Sequence, residues 1–416
     1  MKKILCAVMT ALLMLPAVGK AERKVVLVTV DGYRWQELFG GADSMLINAK
    51  QFGNVKMMKD SYWKGATSEQ RRQELMPFTW SFIAKNGTIL GNRNLGCTMD
   101  VTNKMWFSYP GYNEDLCGYA DDRNIHSNDA IPNPNVSVFE TANKTPQYQN
   151  QVLCFGSWAR FIEIFNEQRS GLEVNANYRH AMSKNPTERE KFLDKMQELC
   201  PKYWEQERFD FLTHEYAMEA MRTRHPKLVF IGYGDTDEWA HAGNYRLYLD
   251  AAHNTDAFLK DLWELIQSDP FYKDQTTVIV TCDHGRGDKD INAWRDHGPY
   301  TEHSHQTWLM AFGKGIPAKG VLTSGTYYNN QIAPTIADLL GIKFSPNHEG
   351  VGKPIKFWNI VSACGSAFCV EPFFISSFCI PFYLLFRTNG VKGENIKKCP
   401  PVFSAGGHKL IILIQN

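Results

Sequence analysis

The stretch that decides the fold is VVLVTVDG, residues 25–32. A run of apolar and β-branched residues that ends in an acid and a glycine is typical of a strand buried on both faces and followed by a sharp turn. Strands of this kind form parallel sheets, and in open α/β sheets the active site gathers at the carboxyl ends of the strands. The pattern therefore predicts that Asp31 lies at that edge of the sheet.

The same alternation of strands and helices continues along the chain. Further strands are predicted for residues 88–90, 228–231, 276–281 and 307–312. Residues 245–266 carry apolar side chains at helical spacing, and residues 332–341 predict a helix that a glycine ends. This order predicts an α/β fold with a doubly wound, mostly parallel sheet flanked by helices.

The two ends of the chain differ from its middle. Residues 1–21 have leading lysines, an apolar run and a small-residue ending, which predict a signal peptide and a secreted or periplasmic protein. Residues 22–358 form the predicted catalytic domain, in which we expect no stable membrane span. Within it, the charge-rich residues at about 158–224 predict an inserted, mainly helical cap. Residues 359–416 are an atypical tail rich in cysteine and aromatic residues, whose role the sequence leaves open.

Composition limits the partners of the chain. Its 416 residues carry a formal net charge of +1, so we expect no nucleic acid scaffold. Removal of the leader takes Cys6 with it and leaves an odd number of the ten cysteines, so at least one thiol is free. Disulfide pairs are predicted as Cys97 with Cys117 and Cys154 with Cys200. The oligomeric state stays open.

Four separate segments carry side chains that bind metals. They supply Asp31, Asp237 with His241, Asp283 with His284, and His297. Asp237 and His241 share one face if their segment is helical, because they are four residues apart. Asp283 and His284 follow a predicted strand, and the glycine after them allows a turn in which both side chains point into one site. Three aspartates and three histidines would suit two borderline cations such as zinc.

A candidate nucleophile lies in WFSYPGY, residues 106–112. Pro110 and Gly111 favour a turn, which would present the hydroxyl of Ser108 to a cleft. The aromatic side chains around Ser108 would either stack on a leaving group or belong to the core. The sequence leaves both alternatives open.

Taken together, these segments resemble the alkaline phosphatase superfamily, in particular its nucleotide pyrophosphatase/phosphodiesterase and related bacterial phosphatase branch. The matching pieces, in the family's order, are VTVDG at 28–32, SYPG at 108–111, the Asp-x-x-x-His of 237–241, TCDHG at 281–285, HG at 297–298 and IAPTIADLLG at 332–341. The resemblance implies two Zn²⁺ ions, with other divalent metals as alternatives. One ion would be bound by Asp31, Ser108, Asp283 and His284, and the other by Asp237, His241 and His297.

The resemblance also implies an activity. We expect a metal-dependent phosphoric ester hydrolase of the phosphatase type, in which Ser108 forms a phosphoserine intermediate. The substrate would be a small phosphate ester, with a nucleotide as one candidate. A phosphodiesterase or nucleotide pyrophosphatase on the same site is the first alternative. A sulfatase is the second, although the sulfatase pattern has arginine where Tyr112 stands.

Two assignments depend on finer details of this resemblance. Arg160 lies where one branch uses a Lys-x-Arg pair to bind the third oxygen of a phosphate monoester, but the lysine position holds Trp158. The choice between monoester and diester therefore stays open. His297 is preferred to His303 and His305 as the last ligand, because of the glycine that follows it and its distance to residues 308–313. Candidate amide donors to the phosphate are Asn113, Asn133 and Asn135.

Overall fold

The computed structural model describes residues 23–357, so the predictions for the signal peptide and the tail lie outside the described residues. The strands are β1 Lys24–Val30, β2 Gly87–Leu90, β3 Cys97–Asp100, β4 Val152–Gly156, β5 Glu173–Ala176, β6 Leu228–Tyr233, β7 Thr276–Thr281, β8 Leu309–Gly313, β9 Gly320–Val321 and β10 Gly325–Tyr328. Each strand predicted from the sequence lies within or overlaps one of these.

Helices connect and cover the strands. The α-helices are α1 Trp35–Gly40, α2 Val55–Tyr62, α3 Ser68–Leu75, α4 Ala84–Asn86, α5 Ser108–Cys117, α6 Val138–Asn143, α7 Phe161–Ile164, α8 Glu167–Ser170, α9 Glu188–Leu199, α10 Asp210–Arg224, α11 Asp235–His241, α12 Tyr245–Ser268 and α13 Ile332–Leu340. Shorter helical turns lie at Leu46–Asn48, Lys50–Phe52, Thr79–Ile83, Arg93–Leu95, Ala293–Arg295 and Asn329–Gln331. None of these helices is long and apolar enough to cross a bilayer.

The central sheet has the strand order β5-β4-β6-β1-β7-β8-β2-β9. The strands from β5 to β7 run parallel, whereas β8 is antiparallel to both β7 and β2. A separate small sheet pairs β10 with β3. The predicted α/β fold with a mostly parallel sheet flanked by helices is confirmed.

The two faces of the sheet explain why β1 is apolar throughout. Val26 and Val28 pack into one core cluster, together with side chains of α10 and α12. Val25 and Leu27 pack into a second cluster on the other face, with α5, α6 and α13. Each such side chain stabilises the fold by roughly 1.5–3 kcal/mol through burial. With both faces covered, the open edge at the carboxyl ends of the strands is where a site can form.

Residues 158–224 combine helices with one strand of the central sheet. They contain α7 to α10, as the helical periodicity indicates, but they also contain β5, which pairs in parallel with β4 at the edge of the central sheet. α10 packs on β4 and β6. The sequence missed β5 because four residues are too few to show the alternation that marks a strand. The predicted cap segment therefore contributes a strand to the central sheet and a helix that covers it.

The predicted disulfide bonds are wrong. The cysteines of the described region, Cys97, Cys117, Cys154, Cys200 and Cys282, are all free thiols. Cys97 accepts a hydrogen bond from the backbone N–H of Gly91 at 3.4 Å, and Cys154 is part of the core beneath the sheet. Burial rather than pairing explains most of these positions, because free cysteine behaves as a small apolar residue.

Candidate active site

Two neighbouring strands place the first group of candidate ligands. Asp31 follows β1, and Asp283 and His284 follow β7, which is paired with β1. His284 Nε2 lies 3.2 Å from Asp31 Oδ1 and 3.5 Å from Asp283 Oδ2, and the Oγ of Ser108 is 3.3 Å from the same nitrogen. All four residues are at most 5% exposed. We call Asp31, Ser108, Asp283 and His284 the strand-end half-site.

Ser108 is the first residue of α5 and does not lie in the predicted turn. Pro110 is tolerated there because the first N–H groups of a helix have no partner within it. A Cβ at Gly111 would lie 2.3 Å from the carbonyl oxygen of Asp283, so glycine lets the helix approach that strand end. Proline and glycine therefore serve the first turn of a helix that points at the site.

The loop before Ser108 is held by a buried carboxylate. Trp106 adopts a left-handed backbone with φ 51°, and its N–H donates to Oδ1 of Asn103 at 2.9 Å. Glu114, which is fully buried, accepts from the N–H and the Nδ2 of Asn103 at 2.9 and 3.0 Å. The strained residue is thus fixed two positions before the candidate nucleophile.

A helix and a loop place the second group. Asp237 and His241 lie on one face of α11, with His241 Nε2 3.1 Å from Asp237 Oδ2, as their spacing predicts. His297 follows the turn at Ala293–Arg295, and its Nε2 lies 2.9 Å from Nε2 of His241 and 3.6 Å from Asp237 Oδ1. His241 is 41% exposed. We call Asp237, His241 and His297 the helix-loop half-site.

The two half-sites meet at His284. Its Nε2 lies 3.8 Å from Asp237 Oδ1, and its ring centroid lies 4.0 Å from that of His297. Two groups have ligand atoms within 4.8 Å of one another, and His284 belongs to both: Asp31, Asp283 and His284, and Asp237, His284 and His297. Asp31 Oδ1 and Asp283 Oδ2 are buried without a hydrogen-bond partner.

This arrangement fits divalent cations. Ligands of a tetrahedral zinc ion stand about 3.3 Å from one another, and the ligand atoms here are separated by 2.9 to 3.8 Å. Buried oxygens without a hydrogen-bond partner are costly unless an ion or water satisfies them. Oxygen and imidazole donors are the ligands that zinc takes at catalytic sites.

Crowded carboxylates give the site its electrostatic character. Burial, together with the charge of Asp237, raises the pKa of Asp31, and burial beside Asp31 raises the pKa of Asp283 well above its usual range. Burial would lower the pKa of His284, but Asp283 and Asp31 outweigh it and raise that pKa to about 9. Burial beside protonated His284 holds the pKa of His297 well below its usual value. The site therefore favours added positive charge.

Arg286 neutralises part of this charge. It is 1% exposed and forms an ion pair with Asp237. Burial would raise the pKa of Asp237, but Arg286 and the two nearby imidazoles hold that pKa well below its usual range. Arg286 therefore serves a candidate ligand through this ion pair. The acid that it pairs with lies 49 positions away in sequence, so no local signal reveals the contact.

The aromatic residues around Ser108 differ in their exposure to solvent. Tyr109 and Tyr112 are at most 1% exposed and belong to the core, whereas Trp106 and Phe107 are partly exposed. The hydroxyl of Tyr112 donates to Oδ2 of Asp31 at 3.0 Å. A residue that stands where sulfatases have arginine thus orients a candidate ligand.

The predicted amide donors are occupied elsewhere. Asn133 and Asn135 both donate from Nδ2 to Oδ1 of Asn113, at 3.2 and 3.0 Å. Asn128, which the sequence analysis did not single out, lies closer to the nucleophile. Its Oδ1 accepts from the N–H of Tyr109, the residue after Ser108, at 3.0 Å. The contact forms because the fold brings the loop that contains Asn128 to the start of α5, so local sequence does not reveal it.

Arg160 lies beside this asparagine. Its Nε donates to the carbonyl oxygen of Asn128 at 3.1 Å, and its Nη2 donates to Gln206 at 2.7 Å. It also lies 3.8 Å from Glu163. The contacts of Arg160 within the described residues therefore do not include Ser108, and its predicted catalytic role stays a prediction.

The alternative ligands His303 and His305 point to other partners. His303 Nδ1 lies 2.6 Å from Asp288 Oδ1. His305 lies 3.6 Å from Asp100 and 5.0 Å, between ring centroids, from Trp106. Of the three histidines in this loop, His297 is the one that lies against Asp237 and His241.

Comparison with solved structures identifies the architecture. The fold matches that of alkaline phosphatase PafA with a TM-score of 0.54 and 11% sequence identity, over 81% of this chain and 99% of that one. This chain has the alkaline phosphatase fold. It also matches the lipoteichoic acid synthase LtaP of Listeria monocytogenes with a TM-score of 0.52 and 11% identity, over 82% of this chain and 77% of that one. The fold that the sequence resemblance implies is confirmed.

Sequence comparison supports the metalloenzyme character of this alkaline phosphatase-like domain. Residues 205–344 match the metalloenzyme superfamily model, a stretch that contains Asp237, His241, Asp283, His284 and His297. A 2,3-bisphosphoglycerate-independent phosphoglycerate mutase of Gloeobacter violaceus is 29% identical over 136 residues. That alignment covers 31% of this chain and spans about a quarter, 24%, of the mutase.

Proposed function

We propose that this protein is a phosphoric ester hydrolase of the phosphatase type, which acts through a phosphoserine on Ser108. The observation that carries the proposal is the position of the Ser108 hydroxyl. It lies at the start of α5, 3.3 Å from His284 Nε2. The same nitrogen lies 3.2 Å from Asp31 Oδ1 and 3.5 Å from Asp283 Oδ2, two buried oxygens without a hydrogen-bond partner. A hydroxyl placed among metal ligands is the arrangement that an activated serine nucleophile requires.

Each half-site would bind a different cation. The strand-end half-site would hold one divalent cation and the helix-loop half-site another, with zinc the preferred ion. When bound, these ions lower the pKa of the serine hydroxyl and neutralise phosphate oxygens. Ser108 lies at the N-terminus of α5, where the helix dipole favours an anion. Asn128 adds an amide next to Ser108.

The reaction proceeds in two displacements. Ser108 Oγ forms a bond to phosphorus while the bond from phosphorus to the leaving oxygen breaks, and the leaving oxygen takes up a proton. Water then attacks the phosphoserine, which releases phosphate and restores the serine hydroxyl. Tyr112 and Gly32 hold the strand-end carboxylates during both steps, because Tyr112 donates to Asp31 and the N–H of Gly32 donates to Asp283 at 3.1 Å.

A phosphodiesterase or nucleotide pyrophosphatase is the second candidate. The observation that favours it is the binding of Arg160 to Asn128 and Gln206. A phosphate monoester carries one more charged oxygen than a diester and needs a further donor. A sulfatase is less favoured, because Tyr112 occupies the position of the sulfatase arginine and donates to Asp31. The mutase relative adds phosphoryl transfer to a second hydroxyl as an outcome to test.

The proposed enzyme acts outside the cytoplasm, on a small phosphate ester. The support for the location is the leader-like pattern of residues 1–21. N-terminal sequencing of the protein from cell envelope fractions tests it, because a mature chain that begins after Ala21 is expected.

Three model esters test the reaction. The full chain, loaded with zinc, is assayed on p-nitrophenyl phosphate, bis-p-nitrophenyl phosphate and p-nitrophenyl sulfate. We expect kcat/KM to be highest for the phosphate monoester. Faster turnover of the diester selects the second candidate, and turnover of the sulfate ester alone refutes both. Addition of a polyol acceptor shows whether phosphate is transferred to another hydroxyl or to water.

A further inference from the structure

Arg286 holds two parts of the helix-loop half-site at once. It forms an ion pair with Asp237 and donates from Nε to the carbonyl oxygen of Trp294 at 2.7 Å. Its Nη2 donates to the carbonyl oxygen of Arg295, also at 2.7 Å. One guanidinium therefore ties a candidate ligand on α11 to the turn that leads into His297.

A second arginine, Arg295, also connects the turn before His297 to α11. Arg295 donates from Nη2 to the carbonyl oxygen of His241 at 3.2 Å. A Cβ at Gly243 would lie 2.9 Å from Nε of Arg295, and Gly243 has φ +67°, so glycine allows this approach at the end of α11. The turn and the helix are thus joined by two side chains, each from the loop that carries His297.

The chemistry of Arg286 explains why arginine stands there. A buried cation is costly unless it is paired and hydrogen-bonded. The acidic partner of Arg286 among the described residues is Asp237, and two carbonyl oxygens take other donors of its rigid fork. Lysine, a point charge on a flexible stem, would not reach three acceptors in this geometry.

The strand-end half-site does not require arginine side chains to align its ligands. Its ligands Asp31, Asp283 and His284 follow strands that are hydrogen-bonded to each other in the sheet. Asp237 and His241 lie on a helix of seven residues, and His297 lies in a loop. Side chains must therefore supply the alignment that the sheet supplies elsewhere.

We infer that Arg286 and Arg295 are positioning residues that preorganise the helix-loop half-site for its cation. This inference rests on the two-cation part of the proposed function and not on the ester that is cleaved. Hydrogen-bond partners of metal ligands typically change metal affinity by about 10–100-fold when they are replaced. Arg286 contacts a ligand carboxylate and Arg295 a backbone carbonyl, so the effect of Arg286 is the larger.

Zinc binding by the full chain tests the inference independently of catalysis. Zn²⁺ is titrated in competition with a chromophoric chelator, and Co²⁺ absorption reports the coordination of each ion. In Arg286→Gln we expect the affinity of one ion to fall by about 10–100-fold while the other is unchanged. Arg286→Lys keeps the charge and should restore little of that loss. Arg295→Gln should show a smaller loss for the same ion.

Controls separate positioning from general stability. Arg246→Gln removes an arginine that pairs with Asp250 on α12, and this variant should bind both ions as the wild type does. Circular dichroism checks the fold of each variant. If Arg286→Gln does not fold, Arg295→Gln carries the test, because it retains the buried guanidinium of Arg286.

Three results decide the matter. The inference is overturned if folded Arg286→Gln binds both ions with wild-type affinity. If only Arg295→Gln folds, the same result in that variant overturns it. A wild-type chain that binds a single ion overturns the inference and the two-cation proposal together. A wild-type chain that binds two ions and cleaves no phosphate ester overturns the proposed hydrolase alone.

Discussion

The strand-end and helix-loop half-sites are built in different ways. In the first, Asp283 and His284 are fully buried, and the pairing of β1 with β7 sets their place. In the second, His241 is 41% exposed, and arginine side chains hold the parts together. Within one active site, backbone hydrogen bonds fix one half and side-chain contacts fix the other. Substitutions of neighbouring side chains should therefore affect cation binding less at the strand-end half-site than at the helix-loop half-site.

The largest effect is expected at the nucleophile. Ser108→Ala removes the oxygen that attacks phosphorus, so kcat for p-nitrophenyl phosphate should fall by at least about 10³-fold. Zinc content should change little, because the remaining ligands of the strand-end half-site are intact. Ser127→Ala, which removes an exposed hydroxyl bonded to Asp129, should keep full activity. Turnover that persists in Ser108→Ala contradicts the proposed chemistry.

Replacing one ligand in each half-site sharpens the comparison. Asp283→Asn should abolish zinc binding at the strand-end half-site. It should also stabilise the metal-free protein, on the order of 1 kcal/mol, because burial and Asp31 disfavour the charge of Asp283. His241→Ala should weaken binding of one ion and leave the melting temperature nearly unchanged, since its side chain is 41% exposed.

Calorimetric zinc titration and thermal unfolding in EDTA measure both variants. The account is contradicted if Asp283→Asn melts well below the wild type in EDTA, or if it retains two bound ions.

Gly32 lies where the two half-sites meet, and alanine there should disturb both. Its φ is +56°, and a Cβ would lie 2.6 Å from both Asp237 Oδ1 and Arg286 Nη1. Gly32→Ala should cost roughly 1–3 kcal/mol of unfolding free energy and weaken binding of both ions. Gly40→Ala is the matched control, because a Cβ there meets nothing within 4 Å. Equal urea midpoints for the two variants would show that the close approach is not required.

The sequence predicts the strand-end half-site better than the helix-loop half-site for a physical reason. A buried parallel strand has a long apolar signature, and the residue after it must lie at the sheet edge. Asp31 and Asp283 could therefore be placed from local sequence. Arg286 could not, because its partner Asp237 comes from a different element and only the fold brings the two together.

Other errors have similar causes. Pro110 and Gly111 predict a turn from local propensity, but the helix needs glycine for its approach to Asp283 and tolerates proline in its first turn. The odd cysteine count predicts a free thiol but cannot show that Cys97 and Cys117 are unpaired in the fold. β5 has only four residues and shows no alternation, so the sequence does not predict a strand there. In each case a contact between residues distant in sequence determines the structure, and local sequence does not reveal that contact.

The smallest effect concerns the entry to α11. Asp210 accepts from the N–H groups of Gly234 and Asp235 at 2.7 and 3.0 Å, and burial raises its pKa to about 6. Between about pH 4 and pH 6 the native protein therefore binds more protons than the unfolded chain. Its unfolding free energy should fall as pH rises through this window, by on the order of 3 kcal/mol from this group.

Asp210→Asn has no carboxyl group to titrate, so the difference in unfolding free energy between wild type and variant should change across that window. Urea unfolding in EDTA at several pH values measures it. Parallel curves for the two proteins would show that Asp210 does not titrate in this range.

Trapping the covalent intermediate tests most directly whether Ser108 carries the phosphate. The zinc-loaded full chain is mixed with p-nitrophenyl phosphate, quenched in acid within milliseconds, digested and examined by mass spectrometry. We predict a phosphate group on Ser108 in the wild type and none in Ser108→Ala. Phosphate on another residue, or p-nitrophenol release with no phosphoserine at any quench time, would contradict the account.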